Sequence, residues 1–279
     1  MWSEIAELIK RPGGVPVPIT LHPDKDFLYD PADIEAAVTP KTKAIYINSP
    51  QNPTGGVLTR GDIEAIAAMV QRHNLWLISD EAYEDVVFDD VEHVSPASLH
   101  GMYERTISAF TFSKTYAATG LRLGYVVTQD PQIRDRMKKA LFYTASNVTS
   151  VVQFGAIGAL EGPQDCVRHF RDELRARRDF FYEGIRGAAG GTLSGEPPRG
   201  AFYAFLRIAD GWRPPSGNGP ESVSWAMAEY LITNGRIGCV PGVDFGANGE
   251  HHIRFCFARE RNELKGALQS MSALFAGNL

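Results

Sequence analysis

The most constraining feature of this sequence is an alternation that begins at about residue 43. Short apolar runs alternate there with segments whose apolar residues recur at helical spacing. Strands and helices that alternate in this way form mainly parallel sheets with both faces covered. The sequence therefore predicts an α/β domain. Its strands are expected at 43–48, 75–79, 106–110 and 123–127, and a helix, capped by Thr59 and Asp62, at 59–74.

The second half of the chain has a different pattern. A long charged helix is expected at 163–186, and a Gly-rich loop at 187–198. Further elements follow without tight alternation, which is typical of an α+β domain. We therefore predict a large α/β domain over residues 1–165 and a smaller C-terminal α+β domain over residues 166–279. The segments expected in the smaller domain are an apolar run at 202–206, a helix at 223–233, a short run at 237–240, a strand at 253–257 and a last helix from residue 261.

Composition excludes several classes of protein. The 279 residues are 44% hydrophobic and 22% charged, which are globular values. The net charge of −5 argues against a nucleic-acid partner, and no run approaches the roughly 20 apolar residues of a membrane span. The three cysteines lack CxxC spacing, so we expect no disulfide framework, no metal site and a reducing, cytoplasmic location. The adjacent His251 and His252 point to opposite faces of a strand and cannot chelate one metal ion.

Polar motifs follow the predicted strands, where ligands of open parallel sheets bind. A basic residue, Arg254, also lies inside an otherwise apolar strand. One pocket can therefore collect an amide, a carboxylate, a phenol, an amine and two guanidinium groups. The motifs are Asn52-Pro53-Thr54-Gly55, Asp80-Glu81-Ala82-Tyr83, Thr111-Phe112-Ser113-Lys114 and Gly120-Leu121-Arg122.

In this order, the motifs resemble those of the class I/II aminotransferases, which are pyridoxal-phosphate enzymes of fold type I. Gly200-Ala201-Phe202-Tyr203 and Val240-Pro241-Gly242 also match, and the resemblance runs along the whole chain. It implies a homodimer that binds pyridoxal 5'-phosphate. It also implies transfer of an amino group between an amino acid and a 2-oxo acid.

The resemblance assigns a role to each motif residue. Lys114 forms the imine with the cofactor aldehyde and shuttles the substrate proton, which suits an amine that can be deprotonated. Asp80 pairs with the protonated pyridine nitrogen and keeps the ring an electron sink. Tyr83 and Asn52 donate to the phenolic oxygen of the cofactor. Two local alternatives stay open, since Asp80 also suits a helix cap and Asn52 a turn.

Phosphate and carboxylate groups are expected to meet the remaining residues. Arg122, with Thr111 and Ser113, would bind the cofactor phosphate, because phosphate suits a guanidinium fork and short donors. Arg254 matches the family residue that clamps the substrate α-carboxylate, with a structural salt bridge as its alternative. Trp2 is placed to stack on the pyridine ring.

The sequence leaves several alternatives open. A carbon–sulfur lyase or decarboxylase on the same fold would use the same cofactor. A truncated non-catalytic homologue would bind the cofactor or a partner without catalysing a reaction. Family members normally carry a long segment before the point where this sequence begins, so weakened cofactor binding and impaired or absent turnover are expected of this chain alone. Phe142 and Tyr143 favour a neutral or aromatic substrate, although aspartate stays open. The stretch 171–178 is interpreted as a solvated helix face.

Overall fold

The computed structural model describes residues 3–215 and 221–276. These residues form two compact units. The parallel-sheet unit comprises residues 28–51 and 57–171. The C-terminal unit comprises the described residues of 1–27, 52–56 and 172–279. The domain boundary predicted at residue 165 stays a prediction. The two units are not continuous in sequence, because residues 1–27 and 52–56 group with residues 172–279.

The described secondary structure consists of helices and strands that are numbered in chain order. The helices are α1 (Ser3–Lys10), α2 (Pro31–Ala37), α3 (Arg60–Arg72), α4 (Phe112–Thr115), α5 (Pro131–Ala145), α6 (Ser150–Glu161), α7 (Asp165–Ala188), α8 (Val223–Gly235) and α9 (Arg261–Phe275). The strands are β1 (Ala44–Asn48), β2 (Trp76–Asp80), β3 (Thr106–Thr111), β4 (Gly124–Val127), β5 (Leu193–Ser194), β6 (Tyr203–Ile208), β7 (Val240–Pro241) and β8 (His252–Cys256). Short 3-10 turns connect several of them.

The parallel-sheet unit contains a four-stranded sheet in the order β1-β2-β3-β4. The first three strands are parallel, and β4 runs antiparallel to β3. The antiparallel step arises because only the four-residue helix α4 and a 3-10 turn lie between β3 and β4, whereas a parallel return needs a longer crossover. The predicted mainly parallel α/β sheet is confirmed.

Buried and less buried residues alternate along most of β1 and along β2, and the buried ones contribute to the core of this unit. Ile47 and Leu77 are buried in the sheet, and Ile63 and Ile66 of α3 are buried with them. The predicted cap of α3 is confirmed. Thr59 Oγ1 accepts a hydrogen bond from the Asp62 amide at 3.2 Å, and the Asp62 carboxylate accepts one from the Thr59 amide at 2.8 Å. The reciprocal pair satisfies two amides that the helix itself leaves unbonded.

The C-terminal unit is built on a sheet in the order β5-β6-β8-β7, with every pair antiparallel. Leu206, Ile208 and Ile253 are fully buried on this sheet. Met271 and Phe275 of α9 are buried as well. The predicted smaller α+β architecture is confirmed.

Two local predictions in this part of the chain are wrong. The stretch 187–198 is not a single loop, because α7 continues to Ala188 and Leu193–Ser194 pair with β6. The stretch 171–178 is not wholly a solvated face, because Arg178 is only 4% exposed. Its guanidinium donates to the carbonyl of Pro198 at 3.0 Å, and this tertiary contact is not visible in the helix pattern.

Candidate active site

Asp80 lies at the carboxyl end of β2, next to Asn48 at the end of β1. Its Oδ2 accepts a hydrogen bond from the Tyr46 hydroxyl at 2.8 Å, and its Oδ1 accepts one from the Ala82 amide at 3.2 Å. Burial raises the pKa of Asp80, the two hydrogen bonds oppose that rise, and the neighbouring charge of Glu81 adds to it. Within 3–215 and 221–276, no basic side chain forms an ion pair with Asp80. The carboxylate is therefore held in place and incompletely compensated.

The main chain around Asp80 is also fixed. The Asp80 carbonyl accepts from the Asn48 side-chain amide at 3.1 Å and from the Ser49 amide at 3.2 Å. The Asn48 amide in turn donates to the hydroxyl of Tyr29 at 3.1 Å. These contacts hold the ends of β1 and β2 together, just where the predicted site residues begin.

Lys114 and Tyr83 approach each other at the same edge of the sheet. Lys114 lies in α4, directly after β3, and Tyr83 follows β2 by three residues. The Lys114 amine lies 5.6 Å from the centre of the Tyr83 ring, and Tyr83 is 2% exposed. A ring face attracts an ammonium group at this range. The structure thus brings together two residues that the sequence placed in separate motifs.

Thr111 and Ser113 form the N-terminal cap of α4. The Thr111 hydroxyl accepts from the Ser113 amide at 3.1 Å and lies 3.4 Å from the Leu123 carbonyl. Arg122 is exposed, and its guanidinium donates to the Thr119 carbonyl at 2.9 Å. A guanidinium carries five N–H donors, so this bond leaves Arg122 able to bind an anion. The three residues predicted to hold a phosphate lie within one short stretch of chain.

The Asn52–Gly55 motif belongs to the C-terminal unit. Gly55 has φ +73°, and its carbonyl accepts from the Gly200 amide at 2.9 Å. A Cβ at Gly55 would lie 2.3 Å from Cβ of Pro198, so only glycine fits. The backbone of Asn52 therefore belongs to a turn, as the alternative interpretation expected. The side chain of Asn52 also contacts Arg254.

Arg254 connects this turn to the antiparallel sheet of the same unit. Its guanidinium donates to the side-chain oxygen of Asn52 at 2.7 Å. The same group lies 4.4 Å from the centre of the Tyr203 ring and 4.8 Å from that of Phe245. Aromatic faces on a guanidinium hold it by cation–π attraction and by stacking. Arg254 is thus a half-buried cation in a defined orientation.

Sequence reasoning missed the aromatic residues that support these groups. Tyr46 lies two residues before Asn48 in β1, and this spacing places both side chains on one face of the strand. That periodicity was the available signal for Tyr46. Phe245 lies in a 3-10 turn, and nothing in the local sequence indicates its contact with Arg254.

Three other sequence-based assignments have separate outcomes. Trp2 lies outside the described residues. Phe142 and Tyr143 lie on α5 and are 65% and 73% exposed. Among the described helices, none is both long and apolar enough to cross a bilayer.

Comparisons with known proteins identify the same family as the motifs do. A family model described as aminotransferase class I and II matches residues 1–271. An aspartate aminotransferase of Pyrococcus abyssi is 37% identical over 93% of this chain and 64% of its own length. An aromatic-amino-acid aminotransferase of Thermococcus litoralis is 36% identical over 97% of this chain and 67% of its own length. The chain therefore spans about two thirds of the length of these curated relatives.

Solved structures give the same result at the level of the fold. An aspartate aminotransferase from Rhizobium meliloti superposes with a TM-score of 0.90 at 31% identity, covering 98% of this chain and 68% of that chain. An aromatic aminotransferase from Pyrococcus horikoshii superposes with a TM-score of 0.85 at 36% identity, covering 95% of this chain and 68% of that chain. Because the family model matches nearly the whole length of this chain, the chain belongs to the class I and II aminotransferase family.

Proposed function

We propose that this chain carries the cofactor- and substrate-binding residues of a pyridoxal-phosphate-dependent aminotransferase. The observation that carries the proposal is the setting of Asp80. A half-buried carboxylate at a strand end, with a raised pKa and without a basic partner in the described residues, fits a protonated ring nitrogen. Pairing with such a cation would offset the desolvation of the carboxylate.

The other residues present also fit the cofactor. Lys114 would hold it through its amine, with Tyr83 packed beside that amine. Thr111, Ser113 and Arg122 would hold the phosphate with hydroxyl and guanidinium donors. Pyridoxal phosphate, when bound, supplies an aldehyde that reacts with amines and a ring that withdraws electrons from the substrate α-carbon.

The chain's own residues have distinct tasks in the transfer. Arg254 binds the α-carboxylate of the amino acid, and Asn52 fixes the guanidinium that does so. The Lys114 amine takes the proton from the substrate α-carbon and later returns it. Asp80 would keep the ring nitrogen of the bound cofactor protonated. The proposed reaction moves an amino group from an amino acid to a 2-oxo acid, with aspartate and aromatic amino acids as the first substrates to test.

Two further assignments complete the proposal. A homodimer is supported by large apolar side chains that are exposed along α5 and α6, among them Phe142, Val151 and Phe154. A cytoplasmic location is supported by the cysteine pattern, since the three cysteines are far apart and lack CxxC spacing. Sedimentation of the purified chain tests the first assignment.

The decisive experiment is a titration with pyridoxal phosphate that is followed by visible absorbance. We expect a band in the parent chain and none in Lys114→Ala, because alanine has no amine to react. Lys138→Ala, on helix α5, is the matched control and should retain the band. A parent chain without the band would refute the proposal, and a band that persists in Lys114→Ala would refute the role of Lys114.

Product analysis separates the alternative reactions. Turnover that requires a 2-oxo acid and yields a new amino acid supports transamination. Release of ammonia or carbon dioxide without a 2-oxo acid would instead indicate a lyase or a decarboxylase. Both measurements use the same cofactor-loaded protein.

A further inference from the structure

The parallel-sheet unit places a phenol against the carboxylate of Asp80. Tyr46 and Asp80 lie on adjacent parallel strands, and their side chains meet through a 2.8 Å hydrogen bond from the phenol to Oδ2. Burial raises the pKa of Tyr46, so the phenol keeps the proton that it donates. The second carboxylate oxygen is held independently by the Ala82 amide. Each oxygen of Asp80 therefore has its own protein donor.

The remaining titratable groups near Asp80 do not perform this task. Tyr29, which precedes α2, interacts electrostatically with Asp80, but its hydroxyl accepts from the Asn48 amide instead. Glu81 follows Asp80 in the chain and adds only like charge. Its own carboxylate is occupied by His93 and Ser95. Tyr46 is thus the one side-chain donor to Asp80 in the described part of the chain.

We propose that Tyr46 is a positioning residue for Asp80, fixing the orientation and the charge of the carboxylate that receives the ring nitrogen. The proposal rests on the proposed function and adds a residue to it. A hydrogen bond to an ionised acceptor is about twice as strong as one between neutral groups, so the phenol favours the charged carboxylate over the protonated one. Without the phenol, burial would shift Asp80 toward its neutral form, which cannot pair with a cation.

The first test needs no cofactor. Carbon NMR of the Asp80 carboxyl group, followed against pH, reports its ionisation in the unloaded protein. We expect Tyr46→Phe to raise the pKa of Asp80, because the ionised form loses a donor while the ring is retained. Tyr103→Phe, at an exposed tyrosine, is the matched control and should leave that pKa unchanged. An Asp80 pKa that is the same in Tyr46→Phe and in the parent would overturn the proposal.

The second test is a double-mutant cycle on affinity for pyridoxal phosphate. Tyr46→Phe should weaken binding about tenfold in the parent. In the Asp80→Asn background the same change should weaken it by less than about threefold, because no charged acceptor is left for the phenol. Equal losses in both backgrounds would mean that Tyr46 acts only on packing, which would overturn the proposal.

The two tests separate this proposal from the proposed function. Failure of the parent chain to bind the cofactor would count against the aminotransferase function alone, because the NMR measurement still decides the role of Tyr46. Conversely, the chain could bind the cofactor while Tyr46→Phe leaves the pKa of Asp80 unchanged. That result would support the proposed function and refute the role of Tyr46. Tyr29→Phe should leave the pKa of Asp80 nearly unchanged in either case, since its hydroxyl does not bond the carboxylate.

Discussion

The guanidinium of Arg254 donates a hydrogen bond to the side-chain oxygen of Asn52 across 2.7 Å, joining positions that are 202 residues apart in the chain. Asn52 belongs to the turn that also contains Gly55, and Arg254 lies in the middle of β8 between β6 and β7. The rings of Tyr203 and Phe245 flank the same guanidinium. The cation proposed to bind the substrate is therefore oriented before any substrate arrives.

Arg254→Lys should weaken binding of the amino-acid substrate by about ten- to a hundredfold. A lysine retains the charge but loses the planar fork that bonds Asn52 and a carboxylate at once. The measurement is a spectral titration of the cofactor-loaded protein with amino acid. Arg259→Lys is the matched control, because Arg259 is exposed and forms an ion pair with Glu263, four residues further along the chain. Equal affinities in Arg254→Lys and the parent would contradict the assigned role.

Gly55→Ala should destabilise the folded protein by about 1–3 kcal/mol or more. The new Cβ would face a φ of +73° and atoms of Pro198 and Gly200 at 2.3 Å and 2.6 Å. Chemical denaturation measures the free energy of unfolding. Gly61→Ala, in the first turn of α3, meets no other atom closer than 3.8 Å and should be neutral or stabilising by up to about 1 kcal/mol. A Gly55→Ala protein as stable as the parent would show that the turn adapts.

Arg178→Met should lower the free energy of unfolding by about 2–3 kcal/mol. Arg178 is buried on α7, and its guanidinium bonds the Pro198 carbonyl, which would lose its charged donor. Arg175→Met on the same helix is the control, because Arg175 is exposed and forms an ion pair with Asp172 at 3.3 Å. That surface change should stay within about 0.5 kcal/mol. Similar losses for the two variants would contradict a special role for Arg178.

His252 should make the stability of the protein fall in acid. Burial lowers the pKa of His252 to about 4, with smaller contributions from the charges of Arg207 and His251, against 6.5 for an unperturbed histidine. As pH falls from about 6.5 toward 4, the unfolded chain takes up a proton that folded His252 does not, so stability is lost. Above about 6.5 both states are neutral and the effect vanishes.

His252→Phe should remove this part of the acid sensitivity. The phenylalanine ring can keep the stacking on Phe205, whose ring centre lies 4.9 Å from that of His252. Thermal unfolding at about pH 5 and pH 7.5 should therefore differ less in the variant than in the parent. His251→Gln, at the exposed neighbour, serves as the comparison and should keep most of the parent's pH dependence, because His251 is the smallest of the three causes. An unchanged difference in His252→Phe would assign the sensitivity to other groups.

The sequence by itself determined the strands of the parallel sheet and the helix α3, although it did not determine every segment, since 187–198 was expected to be a single loop. The alternation of apolar runs with helical spacing predicted β1, β2, β3 and α3, because burial periodicity and the Thr59–Asp62 cap are local properties. The order of the motifs predicted the family through their resemblance to those of the class I/II aminotransferases. Three of the motifs also lie at the ends of parallel strands, where such sheets bind ligands. The roles assigned to Lys114, Asp80 and Arg254 within it remain predictions that the experiments above test.

Tertiary structure decided what no local pattern encodes. The hydrogen bond from Tyr46 to Asp80 depends on the register of β1 against β2, and the pairing of Asn52 with Arg254 depends on a turn meeting a distant strand. The burial of Arg178 likewise depends on the loop at Pro198. Hydrogen bonds and desolvation act through space over a few ångströms. The sequence therefore supplied the chemical groups, whereas only the folded chain decided which of them meet and how their charges are held.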